Sequence, residues 1–451
     1  LIAQSAWQRA LCLLLALVLC GGSAGCEPFP AVKRLIPRHL ARMVSFAVLE
    51  DYDKGTDLNE VAKDFELMKE LGIDLLRCSL GWDDYEPIQG QYDFAWLKQF
   101  VQLAQRYGIK LRPYIGYTPS WAGAPGSDDQ DWNNPPRDYR LWHRFVYRLA
   151  TALREYRNVL SYEIYNEQNA RLWWDGSIEQ YKETLRQAAL AIRAADPDAQ
   201  VILGGFVFAD DHWLESIVHS GHAQYYDITP FHAYPETWTA QDVVVENYLD
   251  ARYQAFVRYN RTLGEGEPIW INEMGFATTS GKSELDQANW WARAVSSFLA
   301  DPEIEHIGVY EIKDLAAGQN VIGDEKNYHL GITRTDRTKK LAFHTVALLK
   351  ELLGTGPISV ANSELTVTIL EGAPRELHWR LFRRWDGKQV LFIYDKAGTP
   401  TLRVSFRTAR ATAFRYDLNG RSTRVRDFDG ESLGALQLTA GQVAIFLVDP
   451  Q

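Results

Sequence analysis

From residue 44 to residue 353 the chain alternates stretches that read as strands with stretches that read as amphipathic helices, eight times over. The strand candidates are 44–48, 73–80, 111–115, 160–165, 201–203, 226–231, 269–272 and 307–311. Helix-period patterns follow them at 60–71, 94–107, 139–156, 177–195, 211–220, 249–263, 285–300 and 339–353. In the first of these Val61, Phe65, Met68 and Leu71 share one face, and Gly72 supplies the stop that a left-handed C-cap needs. Strands joined by helices pair in parallel, so the alternation predicts an α/β fold. Eight repeats predict a closed (β/α)8 TIM barrel over residues 43–353, with a doubly wound open sheet as the second choice.

The pattern changes after Gly354. Short strands at 365–370, 378–382, 390–394, 401–406, 411–416 and 443–448 are separated by turns, of which Asp386-Gly387 and Asn419-Gly420 are hairpin signals. Residues 354–451 therefore read as a smaller antiparallel β-sandwich domain, with a packing role favoured over carbohydrate binding. At the other end, Arg9 precedes the apolar run LCLLLALVLC from Leu11 to Cys20, too short to span a bilayer and of the length of a secretory signal. Ser23-Ala24-Gly25-Cys26 resembles a bacterial lipoprotein box, with Cys26 as the acylated residue. Residues 1–26 are expected to act as a signal with lipobox and 27–42 as a tether. Export is the expectation, to the periplasm or a membrane surface through a lipid anchor, with ordinary cleavage and secretion as the alternative. Of four cysteines only Cys78 would remain unmodified in the mature body, which leaves no internal disulfide; it lies in an apolar strand and reads as a small buried hydrophobe.

In a barrel of this kind the functional side chains gather at the carboxyl ends of the strands. Two strands end alike, the fourth in Asn166-Glu167 and the seventh in Asn272-Glu273. Two glutamates converging on one sugar acetal are what general acid/base work and nucleophilic attack require. Arg77, near the end of the second strand, is placed to pair with Glu273, or alternatively with Glu163. His232 and Tyr234 close the sixth strand and are placed to orient Glu273 or to bind hydroxyls. Period-two alternation puts Glu163, Tyr165 and Glu167 on one face, with Glu163 deeper and paired to a basic group, and turns Asn272 away from the site. Fifteen tryptophans are a large share, and Trp82, Trp121, Trp173 and Trp174 fall on loops where they could stack on sugar rings. The net charge of −10 argues against nucleic acid as partner. There is no HExxH, Walker loop or GxGxxG, so neither metal nor cofactor is expected.

Asn166, Glu167 and Glu273 resemble the pattern of clan A glycoside hydrolases. The segment RCSLGWDDYEPIQGQYDFAWL (77–97), with Trp82, Glu86, Gly90 and Tyr92, is similar to that clan's second-strand region. TPSWAG (118–123) is similar to its third-strand loop, and YHLGITRTDRTKKLAFHTVALL (328–349) to its last turn and helix. Within the clan the chain looks most like family 39, the β-xylosidases and α-L-iduronidases, and especially like exported endoglycosidases of Psl-type exopolysaccharide clusters. The resemblance implies a (β/α)8 enzyme that retains anomeric configuration, with Glu167 as general acid/base, Asn166 on the sugar 2-hydroxyl and Glu273 as nucleophile. Two positions depart from the clan pattern: Gln168 stands where Pro usually follows Asn-Glu, and strand eight offers Tyr310, Glu311 and Lys313 in place of a Trp. Three readings result: an endo-acting hydrolase of a bacterial exopolysaccharide, an exo-acting β-xylosidase-like enzyme, and a non-catalytic glycan-binding protein.

Overall fold

The computed structural model describes residues 42–238, 243–279, 281–319, 323–408 and 410–450. The expected signal and lipobox with Cys26, and the tether as far as residue 41, lie outside the described residues. The chain proceeds through β1 (Ser45–Leu49), α1 (Leu58–Leu71), β2 (Leu75–Gly81), α2 (Ala95–Tyr107), β3 (Lys110–Tyr117), α3 (Tyr139–Leu153), β4 (Ser161–Asn166) and α4 (Ile178–Ala195). It continues through β5 (Gln200–Gly205), α5 (Asp211–His219), β6 (Thr229–Ala233), α6 (Ala251–Thr262), β7 (Ile269–Met274), α7 (Glu284–Phe298), β8 (Ile304–Tyr310) and α8 (Leu341–Leu353). These eight strands form one parallel sheet in the order β5-β4-β3-β2-β1-β8-β7-β6. Bridges Ile202–Ile228 and Phe206–Phe231 join β5 to β6, and His232 N donates to Phe206 O at 2.7 Å. The sheet is therefore a closed barrel.

Why these stretches become these elements is visible at their ends and faces. Every residue of β4 and of β7 is buried, as expected for parallel strands covered by helices outside and by side chains within. Asp57 caps α1 by accepting the Asn59 N–H, and Gly72 ends it at φ 69°, a left-handed conformation that glycine adopts without strain. Ser177 and Gln180 form a reciprocal capping box at the start of α4. Cys78 is buried in the barrel core. β2 runs straight into a single helical turn, Trp82–Tyr85, which the sequence pattern does not announce.

The C-terminal part is a sandwich of two antiparallel sheets. Its strands are β9 (Ile358–Val360), β10 (Leu365–Glu371), β11 (Leu377–Arg384), β12 (Gln389–Asp395), β13 (Thr401–Phe406), β14 (Ala411–Tyr416), β15 (Ser422–Arg424), β16 (Ser432–Gln437) and β17 (Ala444–Pro450). Three strands (β10-β13-β16) face six (β15-β14-β17-β12-β11-β9). Leu381, Ile393, Leu402, Val404, Leu433 and Phe446 fill the space between the sheets. The opposite face of the larger sheet, with Phe382, Phe392, Tyr394 and Ile445, joins the same apolar cluster as the barrel. Three strands went unread in the sequence: β9 has only three residues, β15 is exposed throughout, and β16 mixes small and polar residues.

Candidate active site

The carboxyl ends of β4, β6 and β7 meet at the barrel mouth around the guanidinium of Arg77, which reaches them from the third position of β2 and not, as expected, from near the end of that strand. Arg77 donates from Nε and Nη2 to Glu163 Oε2 and Oε1 at 2.8 and 2.9 Å, from Nη1 to Glu273 Oε2 at 2.8 Å, and from Nη2 to Asn166 Oδ1 at 2.7 Å. Its plane lies over the Tyr114 ring, 4.4 Å from the centroid. Both sequence alternatives for Arg77 are thus realised together. Glu163, 1% exposed, also accepts Gly205 N–H at 2.9 Å and Asn272 Nδ2 at 3.0 Å, so it is fully engaged beneath the site. Burial opposes the charge on Arg77, but Glu163 and Glu273 restore it and hold its pKa well above the ordinary value.

Glu273 is the better-held of the two strand-end glutamates. Besides Arg77 on Oε2, its Oε1 accepts the Tyr234 hydroxyl at 2.5 Å. Burial, and then the charge on Glu273, raise the Tyr234 phenol well above its usual pKa, so Tyr234 remains a donor. His232 Nδ1 lies 2.6 Å from Glu167 Oε1, and its Nε2 lies 3.7 Å from Glu273 Oε2. The fully buried imidazole thus spans the two glutamates. Burial pushes its pKa down, but the charge on Glu273 and the hydrogen bond to Glu167 outweigh that, and the net direction is upward. Gly205 at the end of β5 makes room for this ring, since a Cβ there would come within 2.2 Å of His232 Nε2.

One carboxylate oxygen of Glu167, one of Glu273 and a nitrogen of His232 all lie within 4.8 Å of one another. Three such ligands could in principle hold a cation. Glu273 Oε2, however, already takes the Arg77 guanidinium at 2.8 Å, and a fixed positive charge at that distance repels a second cation. The donor set suits two carboxyl groups working on a neutral acetal.

The structure corrects several sequence expectations. Alternation fails along β4: Tyr165 has φ 66° and Glu167 φ 49°. Asn166 therefore joins Glu163 in facing Arg77, while Tyr165 turns outward and is fully buried. There its ring meets Trp174 at 4.8 Å and its hydroxyl lies 2.5 Å from Thr118 Oγ1. Asn272 does not turn away from the site, because a register shift between Ile271 and Met274 lets it face inward beside Glu273. Trp82 is 0% exposed, packed between Trp121, Trp142 and Phe145, since the helical turn after β2 folds it under the rim. Trp174 is 2% exposed, with Nε1 donating to Ser177 O. Neither can stack on a sugar.

Trp121 and Trp173 are partly open. Trp173 stacks on Tyr117 at 6.1 Å, and Trp132 stands edge-on to both, making an aromatic ledge over the β3 and β4 ends. Tyr117 and Trp132 were missed in the sequence, although the strand-end rule reaches Tyr117. Asp51, just beyond β1, was missed as well. Its Oδ1 accepts Ser79 N–H at 2.7 Å and its Oδ2 the Tyr114 hydroxyl at 2.6 Å. Gln168, in the place of the clan's proline, is buried and donates to Gly204 O at 2.8 Å, which pins the loop after Glu167.

The sequence model of the family Cellulase (glycosyl hydrolase family 5) matches residues 47–308, more than half of the chain. The chain belongs to this family. Solved structures of other glycoside hydrolase families share its fold, among them family 39 enzymes, the family expected from the sequence. A family 39 glycoside hydrolase from Bacteroides cellulosilyticus WH2 superposes with TM-score 0.66 at 19% identity, over 93% of this chain and 83% of that one. A monomeric β-xylosidase from Caulobacter crescentus CB15 does so with TM-score 0.63 at 16% identity, over 92% and 98%. At these identities the likeness is one of fold, and it extends through the sandwich. A curated relative, β-galactosidase BgaA of Clostridium cellulovorans, is 36% identical over 61 residues; that match spans 13% of this chain and only 9% of the relative's length.

Proposed function

We propose that this family member is a retaining β-glycoside hydrolase working by double displacement, with Glu273 as nucleophile and Glu167 as general acid/base. The observation that carries the reading is the 4.8 Å limit on the separation of their nearest carboxylate oxygens. Retaining enzymes hold their carboxyl groups about 5 to 5.5 Å apart, whereas inverting ones need roughly 6.5 to 9.5 Å to admit a water. Glu273 is the nucleophile because both its oxygens take fixed donors, which aim it at the anomeric carbon. It attacks the anomeric carbon as Glu167 gives its proton to the departing glycosidic oxygen, leaving a glycosyl ester on Glu273. Glu167 then takes a proton from water, whose oxygen attacks the same carbon and frees Glu273. Asn166, with Oδ1 accepting from Arg77, turns its amide toward the hydroxyl beside the anomeric carbon. Tyr234 and Arg77 receive charge back as the ester breaks.

The substrate is a β-linked oligo- or polysaccharide, and the partly open ledge of Tyr117, Trp132 and Trp173 supports endo action along a chain, a bacterial exopolysaccharide being the intended polymer. The apolar N-terminal run and Cys26 support export with a lipid anchor, which labelled-palmitate incorporation into the parent but not into Cys26→Ser would test.

A panel of β-linked glycans separates the catalytic readings. The parent should release oligosaccharides and Glu273→Gln should release nothing. Monosaccharides alone would replace endo with exo action, and failure on every β-linked substrate would end the hydrolase reading. Glu167→Ala should lose roughly 10²- to 10⁴-fold on natural leaving groups, spare activated aryl glycosides in the first step, and recover turnover with azide. Equal loss on both substrate types without azide rescue would remove Glu167 from its role.

A further inference from the structure

In the loop between β6 and α6 the described stretches 234–238 and 243–250 both touch the site. At its start Tyr234 holds Glu273. Near its end the Tyr248 hydroxyl donates to His232 O at 3.0 Å. Between these points the loop carries two glutamates, Glu236 and Glu246, and a single arginine on α7 grips both. Arg293 Nη2 donates to Glu236 Oε1 at 2.7 Å and to Glu246 Oε2 at 2.9 Å, and its Nε donates to Glu246 Oε1 at 2.9 Å. Trp290, one turn earlier on α7, donates to Pro235 O at 3.1 Å.

The other side of this knot belongs to the C-terminal sandwich. The Tyr394 hydroxyl, on β12, donates to Glu246 Oε1 at 2.7 Å, and Lys396 lies 3.4 Å from Glu246 Oε2. Tyr394 is completely buried, and the side chains of Arg293 and Glu246 are 11% and 8% exposed. In such surroundings charge-assisted hydrogen bonds are strong and directional, and removal of one donor is felt by its neighbours. General packing of one domain on another would need only the apolar face of the six-stranded sheet. It would not need a polar knot whose loop residues stand two and twelve positions beyond Tyr234.

We infer that Tyr394, Glu246 and Arg293 are positioning residues for the barrel's reaction: the sandwich fixes the β6–α6 loop, and through it the Tyr234 hydroxyl on Glu273. The inference rests on the hydrolase reading above for its kinetic consequence and on the geometry of the loop alone for its structural one. It assigns the sandwich a part in the chemistry of the barrel, where a sugar-binding module would act on the substrate from outside.

The full chain carrying Tyr394→Phe keeps the buried ring and loses one hydroxyl, and Glu246→Gln keeps the shape and loses the charge. On an aryl β-glycoside each should lower kcat by about tenfold with KM nearly unchanged, as expected when a reacting group is slightly misplaced. Hydrogen exchange should quicken in peptides covering residues 243–250 and stay as in the parent across α3 and β4. A merely structural role would lower the melting temperature and leave kcat and the loop's exchange unmoved, and that result overturns the inference. Faster exchange with an unchanged kcat overturns it too, since the loop would then move without Tyr234. Should the parent cleave no β-glycoside, the hydrolase reading falls separately, and the exchange measurement alone decides whether the sandwich holds the loop.

Discussion

Arg77 sets one positive charge against two buried carboxylates, and the arithmetic at this residue decides how the site fails. Replacing it with Met leaves Glu163 and Glu273 facing one another without their cation, and an uncompensated buried charge costs about 3 to 5 kcal/mol. Arg77→Met should therefore lower the unfolding free energy measured by urea denaturation by that amount, and adding Glu163→Gln should restore a good part of stability without restoring turnover. If the single variant is as stable as the parent, the guanidinium is not what lets these acids coexist. His232 gives a second test. Its folded pKa lies above the ordinary 6.5, so the stability it contributes is complete below pH 6.5 and is lost as pH climbs through the folded value. Following the imidazole protons by NMR should place its midpoint above 6.5 in the parent and lower in Glu167→Gln, where the carboxyl group hydrogen-bonded to Nδ1 is gone; a midpoint at or below 6.5 in the parent would contradict the geometry. Asn166, Glu167, His232, Tyr234 and Glu273 were legible in the sequence because strand-end placement and residue chemistry point the same way, whereas Arg77 was found by its chemistry alone, since it stands at the third position of β2. Trp82 and Trp174 were misread because a tryptophan in a loop looks the same in sequence whether its ring faces sugar or core.

At the scale of elements, β4 shows where sequence periodicity stops being informative. The eight strands and most helix ends follow from alternation and capping, but alternation assumes an unbroken pleat. Tyr165 and Glu167 adopt positive φ, a conformation that costs of order 1 to 3 kcal/mol per non-glycine residue and persists only where surroundings impose it. The imposing contacts are those of the outward Tyr165 ring with Trp142, Trp174 and Tyr117, and of its hydroxyl with Thr118. No local signal encodes that pocket, since its walls come from the β3 end, α3 and the loop after β4. Tyr165→Ala should then do two things at once: cost about 3 to 5 kcal/mol as a large core truncation, and free the backbone so that Glu167 drifts and kcat falls, although Tyr165 touches no substrate. Tyr165→Phe should cost about 1 kcal/mol and leave kcat within a few-fold. Equal kcat in Tyr165→Ala and the parent, measured well below the melting point, would mean that β4 holds its turn without the ring.

For the whole molecule, the question is whether the barrel and the sandwich are separable. The sequence announces a change of architecture after Gly354 but is silent on how the two parts meet, because the contacts join residues well separated along the chain. Phe382, Val390, Phe392, Tyr394, Ile445 and Leu447 complete the barrel's apolar cluster. Val443 N donates to Asn289 Oδ1 at 2.9 Å, the Thr345 hydroxyl to Leu418 O at 2.8 Å, and Arg384 Nη1 to Leu352 O at 3.1 Å. Burying a large apolar side chain is worth roughly 1.5 to 3 kcal/mol, so six of them approach about 10 kcal/mol, the size of a domain's whole net stability. A chain ending at residue 353 would keep all eight strands and both glutamates, yet expose the outer faces of α7 and α8 to water. It should fail to fold cooperatively: far-UV circular dichroism would retain helix, a hydrophobic dye would bind strongly, and no sharp thermal transition would appear. A soluble barrel that melts as sharply as the parent would show that this apolar seam adds little, and would reduce the sandwich to a passenger on a self-sufficient fold.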